Sequence, residues 1–273
     1  MPINFELMID TPSFEVDMKS GLTTLQGISD ATRTIAETLL TEKVPERLTS
    51  KSSVRTLLKK NFKGSYGQIF SLEMHDDEIK KKFRKIGGTA FSELMRYFLI
   101  ESLYLESDDL SEKAQQHLNS LGETAEHLTA QLRQSIMINI HDIARKFGHN
   151  IQFNFRKSST TKVKIAVFNE ETSSALEAKT DNKSIFIEAS IRRLNANTGN
   201  GRLQLRDGEN TVPFGFSMIY QHVQLPTKRK FSTNLHHNNG ILEEDWEYLT
   251  LEVLPIRIHG DRIIKYIVKG IHD

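Results

Sequence analysis

The chain has 273 residues, 38% hydrophobic and 26% charged, with a net charge of +1; these are the proportions of a soluble globular protein with room for two ordinary domains. It contains no cysteine, which excludes disulfides, thiolate metal sites and a cysteine nucleophile. No apolar run approaches the ~20 residues of a membrane span, and the first twenty residues lack the basic and apolar regions of a signal peptide, so a cytoplasmic protein with no membrane partner is expected.

INFELMID alternates Ile3, Phe5, Leu7 and Ile9 on one face and predicts a strand. FEVDM, beyond a Thr-Pro-Ser turn, alternates Phe14, Val16 and Met18 and predicts its hairpin partner. Leu22, Leu25, Ile28, Ala31, Ile35, Leu39 and Leu40 recur at helical steps and predict a helix over 20–43, stopped by Pro45. VRTLLKKNFKGSYGQIFSLEM predicts a second hairpin turning near Lys63-Gly64-Ser65. Asp76-Asp77 opens a helix that Gly87-Gly88 breaks, and the apolar stripe resumes over 89–105.

Ala114, Leu118, Leu121, Ala125, Leu128 and Leu132 follow a 4-3-4-3-4 spacing that Ile136, Ile140, Ile143 and Phe147 continue. They predict one helix over 111–147, closed by Gly148 and about 55 Å long. Such a rod needs a long partner. Either the 89–105 helix of the same chain serves, or the same helix of a second chain, with Leu118, Leu121, Leu128 and Leu132 forming an oligomerisation seam.

After Gly148 the period changes from 3.6 to 2. IQFNF and VKIAVF read as paired strands, and NEETSSALEAKTDNK reads as a linker. Ile185 to Ile191, Leu203 with Leu205, and Val212 to Phe216 then alternate as a three-strand meander, turned at Asn195–Gly201 and at Asp207-Gly208. An irregular stretch over 218–240 follows, and EYLTLEVLPIRI and DRIIKYIVKGI supply two more strands around His259-Gly260-Asp261. The fold class expected is α+β: an N-terminal β-hairpin and helix unit with long helices over 1–168, a linker over 169–182, and a five-stranded OB-like β-barrel over 183–273.

No catalytic motif emerges. The glycines of NTGNGR precede a strand, where a dinucleotide fingerprint needs a helix, and no Gly-Lys-Ser/Thr follows. His222, His236 and His237 have no carboxylate at ligand spacing. His141-Asp142 is expected as a helix-surface pair, and Ser65 as a turn residue without a base. No cofactor or metal is expected, and the favoured class is non-enzymatic.

RRLNANTGNGRLQLRDGENTVPFGF resembles the first three strands of a cold-shock domain, with Asn195, Gly199, Gly201, Gly208 and Val212 in matching places, and LEVLPIRIHGDRIIKYIVKGI is similar to its closing pair. The resemblance covers about 85 residues and implies a barrel that contacts single-stranded nucleic acid or a partner protein. Cold-shock domains stack bases on aromatics of the second and third strands, whereas GRLQL here has none and Phe214 and Phe216 align with the core-facing Val212. The candidate nucleic-acid residues are therefore basic: Arg192, Arg202 and Arg206 on the meander, and Lys228, Arg229 and Lys230 in the irregular stretch. The whole chain resembles a family of bacterial proteins with a C-terminal NTGNGR…VPF module. This similarity transfers no function, but it raises the alternative of an assembly subunit in a defence or mobile-element complex acting through the long helix.

Overall fold

Side chains alternate across β1 (Ile3–Ile9), so Ile3, Phe5, Leu7 and Ile9 all fall on the side that the helices cover. The computed structural model describes residues 3–12, 15–62, 66–105, 107–218, 220–258 and 261–272. The chain divides into two units, Met1–Leu176 and Glu177–Asp273.

In the first unit β1 is the centre of an antiparallel sheet ordered β2-β3-β1-β4-β5, with β2 Val54–Phe62, β3 Tyr66–Met74, β4 Ile151–Arg156 and β5 Lys162–Phe168. Two of the three expected hairpins, 54–74 and 151–168, are present; Ser65 and its neighbours lie outside the described residues. The ladder brings Phe5 opposite Phe70 and Phe155, and stacks it on Phe70 and Phe153 at 5.5 and 5.4 Å between centroids.

The expected strand FEVDM is not formed, and its Phe14 lies outside the described residues. Asp17 instead caps helix α1 (Met18–Thr41): its carboxylate accepts from the Ser20 backbone N–H at 2.8 Å, while Val16 packs beside Gly21. The capping bond and this apolar staple outweigh a three-residue alternation.

Helices α2 (Asp77–Ile86) and α3 (Gly88–Ser102) meet at Gly87, whose φ of +80° makes the expected hinge. The single helix over 111–147 is not formed. Its residues make α4 (Glu112–Leu121), α5 (Glu123–Gln131), a π turn over Leu132–Ile136, α6 (Met137–Ile140) and α7 (Asp142–Phe147). Gly122 at φ +52° and ψ −126° separates the first two, and Gln134 at ψ −122° kinks the π turn. The apolar stripe thus bends around a core instead of running along a rod. Leu118, Leu121, Leu128 and Leu132 are 2%, 5%, 0% and 0% exposed, within the core of their own unit. Gly27 of α1 permits this wrapping, since a Cβ there would stand 2.5 Å from the Ile140 backbone nitrogen.

His141 corrects a further expectation. It is fully buried, not on the helix surface, and its ring meets Phe168 edge-on at 5.2 Å. Nδ1–H donates to the Met137 carbonyl at 2.8 Å, so the neutral Nε2 is left to accept from the Thr172 hydroxyl at 2.9 Å. Burial lowers the His141 pKa from 6.5 to about 4. The unfolded chain therefore takes up a proton that the folded chain refuses. Stability is fully present above pH 6.5 and falls as the pH drops towards 4, by roughly 3 kcal/mol across the window. Thermal melts between pH 8 and pH 4 should show this slope, and His141→Asn should flatten it; an equal slope in the variant would assign the loss to other groups.

The stretch over 169–182 is not a structureless linker. Asn169 and Thr172 form a reciprocal capping box, with both bonds at 2.9 Å, that starts α8 (Glu170–Ser173); a 3-10 turn over Ser174–Glu177 and β6 (Lys179–Thr180) follow. Polar residues hide this turn from periodicity because their local side-chain bonds, not apolar spacing, create it.

The second unit is built from β7 (Ile185–Leu194), β8 (Gly201–Leu205), β9 (Thr211–Phe216), α9 (Leu225–Asn238), β10 (Leu249–Arg257) and β11 (Ile263–His272). The five strands close into a barrel in the order β11-β9-β8-β7-β10, with β10 returning to β11. β9 and β11 pair in parallel, which brings Phe214 opposite Tyr266, and all other barrel pairs are antiparallel. This is the expected OB-like barrel. The turn residues His259 and Gly260 between its last two strands lie outside the described residues.

The expected irregular stretch over 218–240 is largely α9. Phe231 from this helix packs on Phe214 and Phe216 at 5.4 and 5.0 Å. The helix also mends a gap in the barrel. Asn234 accepts from the Ile191 N–H at 2.8 Å and donates to the Glu247 carbonyl at 2.8 Å. Asn238 donates to Ser190 Oγ at 2.9 Å and accepts from the Glu247 N–H at 2.9 Å. The two buried amides stand in for the ladder bonds that β7 and the segment before β10 do not make to each other.

Candidate nucleic-acid interface on the barrel

The turn 195–201 sets the register of the barrel's first two strands. Asn195 Oδ1 accepts from the backbone of Asn197 at 2.9 Å and Thr198 at 3.2 Å, and the Asn195 N–H donates to the Asn200 carbonyl. Gly199 takes φ +74° and lies under Tyr220, where a Cβ would be 2.2 Å from the ring. Gly201 has no room either, with the Arg193 carbonyl 2.1 Å from its Cβ position. Both glycines serve close packing between strands, and neither opens a helix that could cradle a phosphate. Gly208 closes the next turn through a 3.0 Å bond to Leu205, without a positive φ.

The register β7–β8–β10 sends Ala189, Ile191, Leu203, Leu205 and Leu251 inwards. Glu188, Arg192, Gln204 and Arg206 therefore point outwards, and the same alternation carried back from β10 places Trp246 and Tyr248 beside them. The Arg192 guanidinium lies over the Trp246 ring at 4.0 Å, and that of Arg206 over Tyr248 at 4.6 Å. The indole N–H donates to the Ile241 carbonyl at 3.3 Å, which fixes the ring. Arg206 also pairs with Glu188, and Gln204 donates to Glu243 at 3.2 Å. The face is thus two arginine-on-aromatic stacks with acidic neighbours, not a bare cationic strip.

The other predicted basic residues lie elsewhere. Arg202 is only 8% exposed, and it donates to the Thr211 hydroxyl and carbonyl, each at 2.8 Å. It braces β8 against β9 and is not part of an open face. Lys228, Arg229 and Lys230 sit on the first turns of α9, not in a loop; Lys228 caps the Gln221 carbonyl at 3.2 Å and lies 4.8 Å from the Tyr220 ring centroid. Asn234 and Asn238 both anchor α9 to Glu247 beside Trp246, four and eight positions on from Lys230, which is about 6 and 12 Å of helix. Arg192 and Arg206 alone are brought onto one face.

No protein-family model, curated protein or solved structure matches this chain. Among the described residues no group of three or more His, Asp or Glu is placed to hold a metal ion, and no helix is long and apolar enough to cross a membrane. His236 and His237 lie on α9 and are exposed, with His237 3.5 Å from Glu247. The stacking rings of the barrel face lie outside β8 and β9, the strands on which the cold-shock resemblance places its aromatics. DWEYL carried the signal: Trp246 and Tyr248 continue the period of two by which β10 was recognised.

Proposed function

We propose that the C-terminal barrel is a non-enzymatic binding module that takes single-stranded nucleic acid on the face formed by Arg192, Arg206, Trp246 and Tyr248. The observation that carries this reading is the pair of arginine-on-aromatic stacks on one outward face of a closed barrel. A guanidinium over a ring still has N–H groups to give to a phosphate or a base edge, although Arg206 shares one with Glu188, and the rings offer stacking surfaces. Glu188 and Glu243 offset much of the positive charge, so stacking outweighs phosphate neutralisation here.

Two consequences separate this from general electrostatic attraction. A single strand of about 12 nucleotides should bind more tightly than its duplex, whose bases are already stacked. Affinity should fall only gently with salt, with a log–log slope of about −2, as expected for two or three neutralised phosphates. Trp246→Ala removes one stacking surface worth roughly 1–3 kcal/mol and should weaken binding about ten-fold. Anisotropy titrations at two salt concentrations read all three. No binding at low salt, or undiminished binding by the variant, would overturn the assignment.

A further inference from the structure

The hydrophobic core of the first unit lies on one side of its sheet. Phe5, Phe70 and Phe153 point into that core, so the register turns Asn4, Glu6, Ser71 and Asn154 to the opposite side. Met8, Leu57 and Ile69 share this outer side, and none of them belongs to either hydrophobic core. An antiparallel sheet with one packed and one polar face has this pattern.

The outer face gathers positive charge from a unit that is neutral as a whole, since residues 1–176 hold 23 Lys and Arg against 23 Asp and Glu. On one flank β2 places Arg55 opposite Glu73 and Lys60 opposite Ile69. The bulge at Lys59 lets this side chain reach Glu73 on the same side, at 3.0 Å. On the other flank Arg156 and Lys162 stand opposite each other and both meet the buried carboxylate of Glu6, while Lys164 stands opposite Asn154. β3 and β1 lie between β2 and β4, so the two cationic banks are about 14–19 Å apart across the sheet. Arg55, Lys60 and Lys164 are exposed and form no ion pair among the described residues.

The middle of the face identifies the kind of anion that fits. It offers Asn4, Glu6, Ser71 and Asn154 around the buried Ile69. A folded acidic protein would want an apolar centre to its interface, and a membrane would want apolar side chains to take up. Nucleic-acid interfaces are polar and wet. A single strand could occupy one bank only, whereas a duplex presents two rows of phosphates. Those rows flank a groove about 12 Å wide on the major side, within reach of long side chains leaning in from both banks. We propose that this face binds the backbone of double-stranded nucleic acid, with the phosphates of one strand on Arg55 and Lys60 and those of the other on the bank around Lys164. The face belongs to the first unit, and its reading does not depend on that of the barrel.

Anisotropy titrations of the full chain with a labelled duplex of about 16 base pairs test it. At low salt the affinity should fall in the ~10⁻⁴–10⁻⁶ M range of sequence-independent contacts, and it should weaken with salt on a log–log slope of about −3, as for three or four phosphates. Lys60→Glu and Lys164→Glu, one in each bank, should each weaken the duplex at least ~5-fold, because a duplex that spans the face needs both. Lys60→Arg with Lys164→Arg should bind as the original does. Both positions are exposed, so the variants should melt as the original does, and those melts are the control for folding. Neither reversal should move the single-strand titration of the barrel, where a failure of the barrel reading would show instead. The proposal falls if the duplex does not bind at low salt. It falls equally if either reversal leaves duplex affinity unchanged, or if polyglutamate of equal charge binds as well, since the two phosphate rows would then contribute nothing.

Discussion

Leu121→Asp combined with Leu128→Asp should leave the first unit unfolded. Both side chains are buried in their own unit, 5% and 0% exposed, on α4 and α5 where these pack against α3. Each leucine contributes roughly 1.5–3 kcal/mol by burial. Each aspartate adds the penalty of an unpaired carboxylate in an apolar setting, several kcal/mol more. The combined loss rivals the whole stability of an ordinary domain, about 5–15 kcal/mol. Loss of helical circular dichroism at 25 °C is the expected readout. A double variant that stays folded but changes from dimer to monomer in sedimentation would contradict it, since that behaviour requires the leucine stripe to lie on a surface.

Gly199→Val should be the most damaging single change in the barrel. A side chain at φ +74° costs about 1–2 kcal/mol, and the new Cβ would stand 2.2 Å from the Tyr220 ring and 2.9 Å from Phe216. Overpacking of this kind adds typically 1–3 kcal/mol. For a unit of this size the sum lowers the melting temperature by at least ~10 °C. Gly240→Ala is the matched control: its φ is also positive, at +85°, but nothing lies within 4 Å of the new carbon. It should cost only the backbone term. Equal effects at the two positions would show that the turn, not the contact with Tyr220, governs Gly199.

What was legible in the sequence follows from what periodicity can encode. β1, both hairpins of the first sheet and all five barrel strands alternate apolar and polar residues, and that alternation predicts each of them as a strand. The closure of the barrel could be inferred from element order. Periodicity also misled where one stripe served a bent path: Ala114 to Phe147 keep helical spacing although Gly122 and Gln134 turn the chain, because the helices bend towards the core that the stripe buries. It was silent where polar groups do the packing. α9 carries Asn234 and Asn238 on its inner face, positions that apolar counting scores as loop. Arg202 looked like a surface cation because composition does not reveal that Thr211 would take two of its hydrogen bonds.

The barrel face offers its own reporter, because Trp246 is the single tryptophan of the chain. Titrating a single-stranded oligonucleotide while following both its anisotropy and the tryptophan emission tests the central assignment directly. Bases that stack at this face must change the Trp246 emission, so a saturable change that tracks the anisotropy curve is predicted, and Arg192→Ala should shift both curves together. An oligonucleotide that binds while the tryptophan emission stays constant would place the contact elsewhere on the chain and contradict the account.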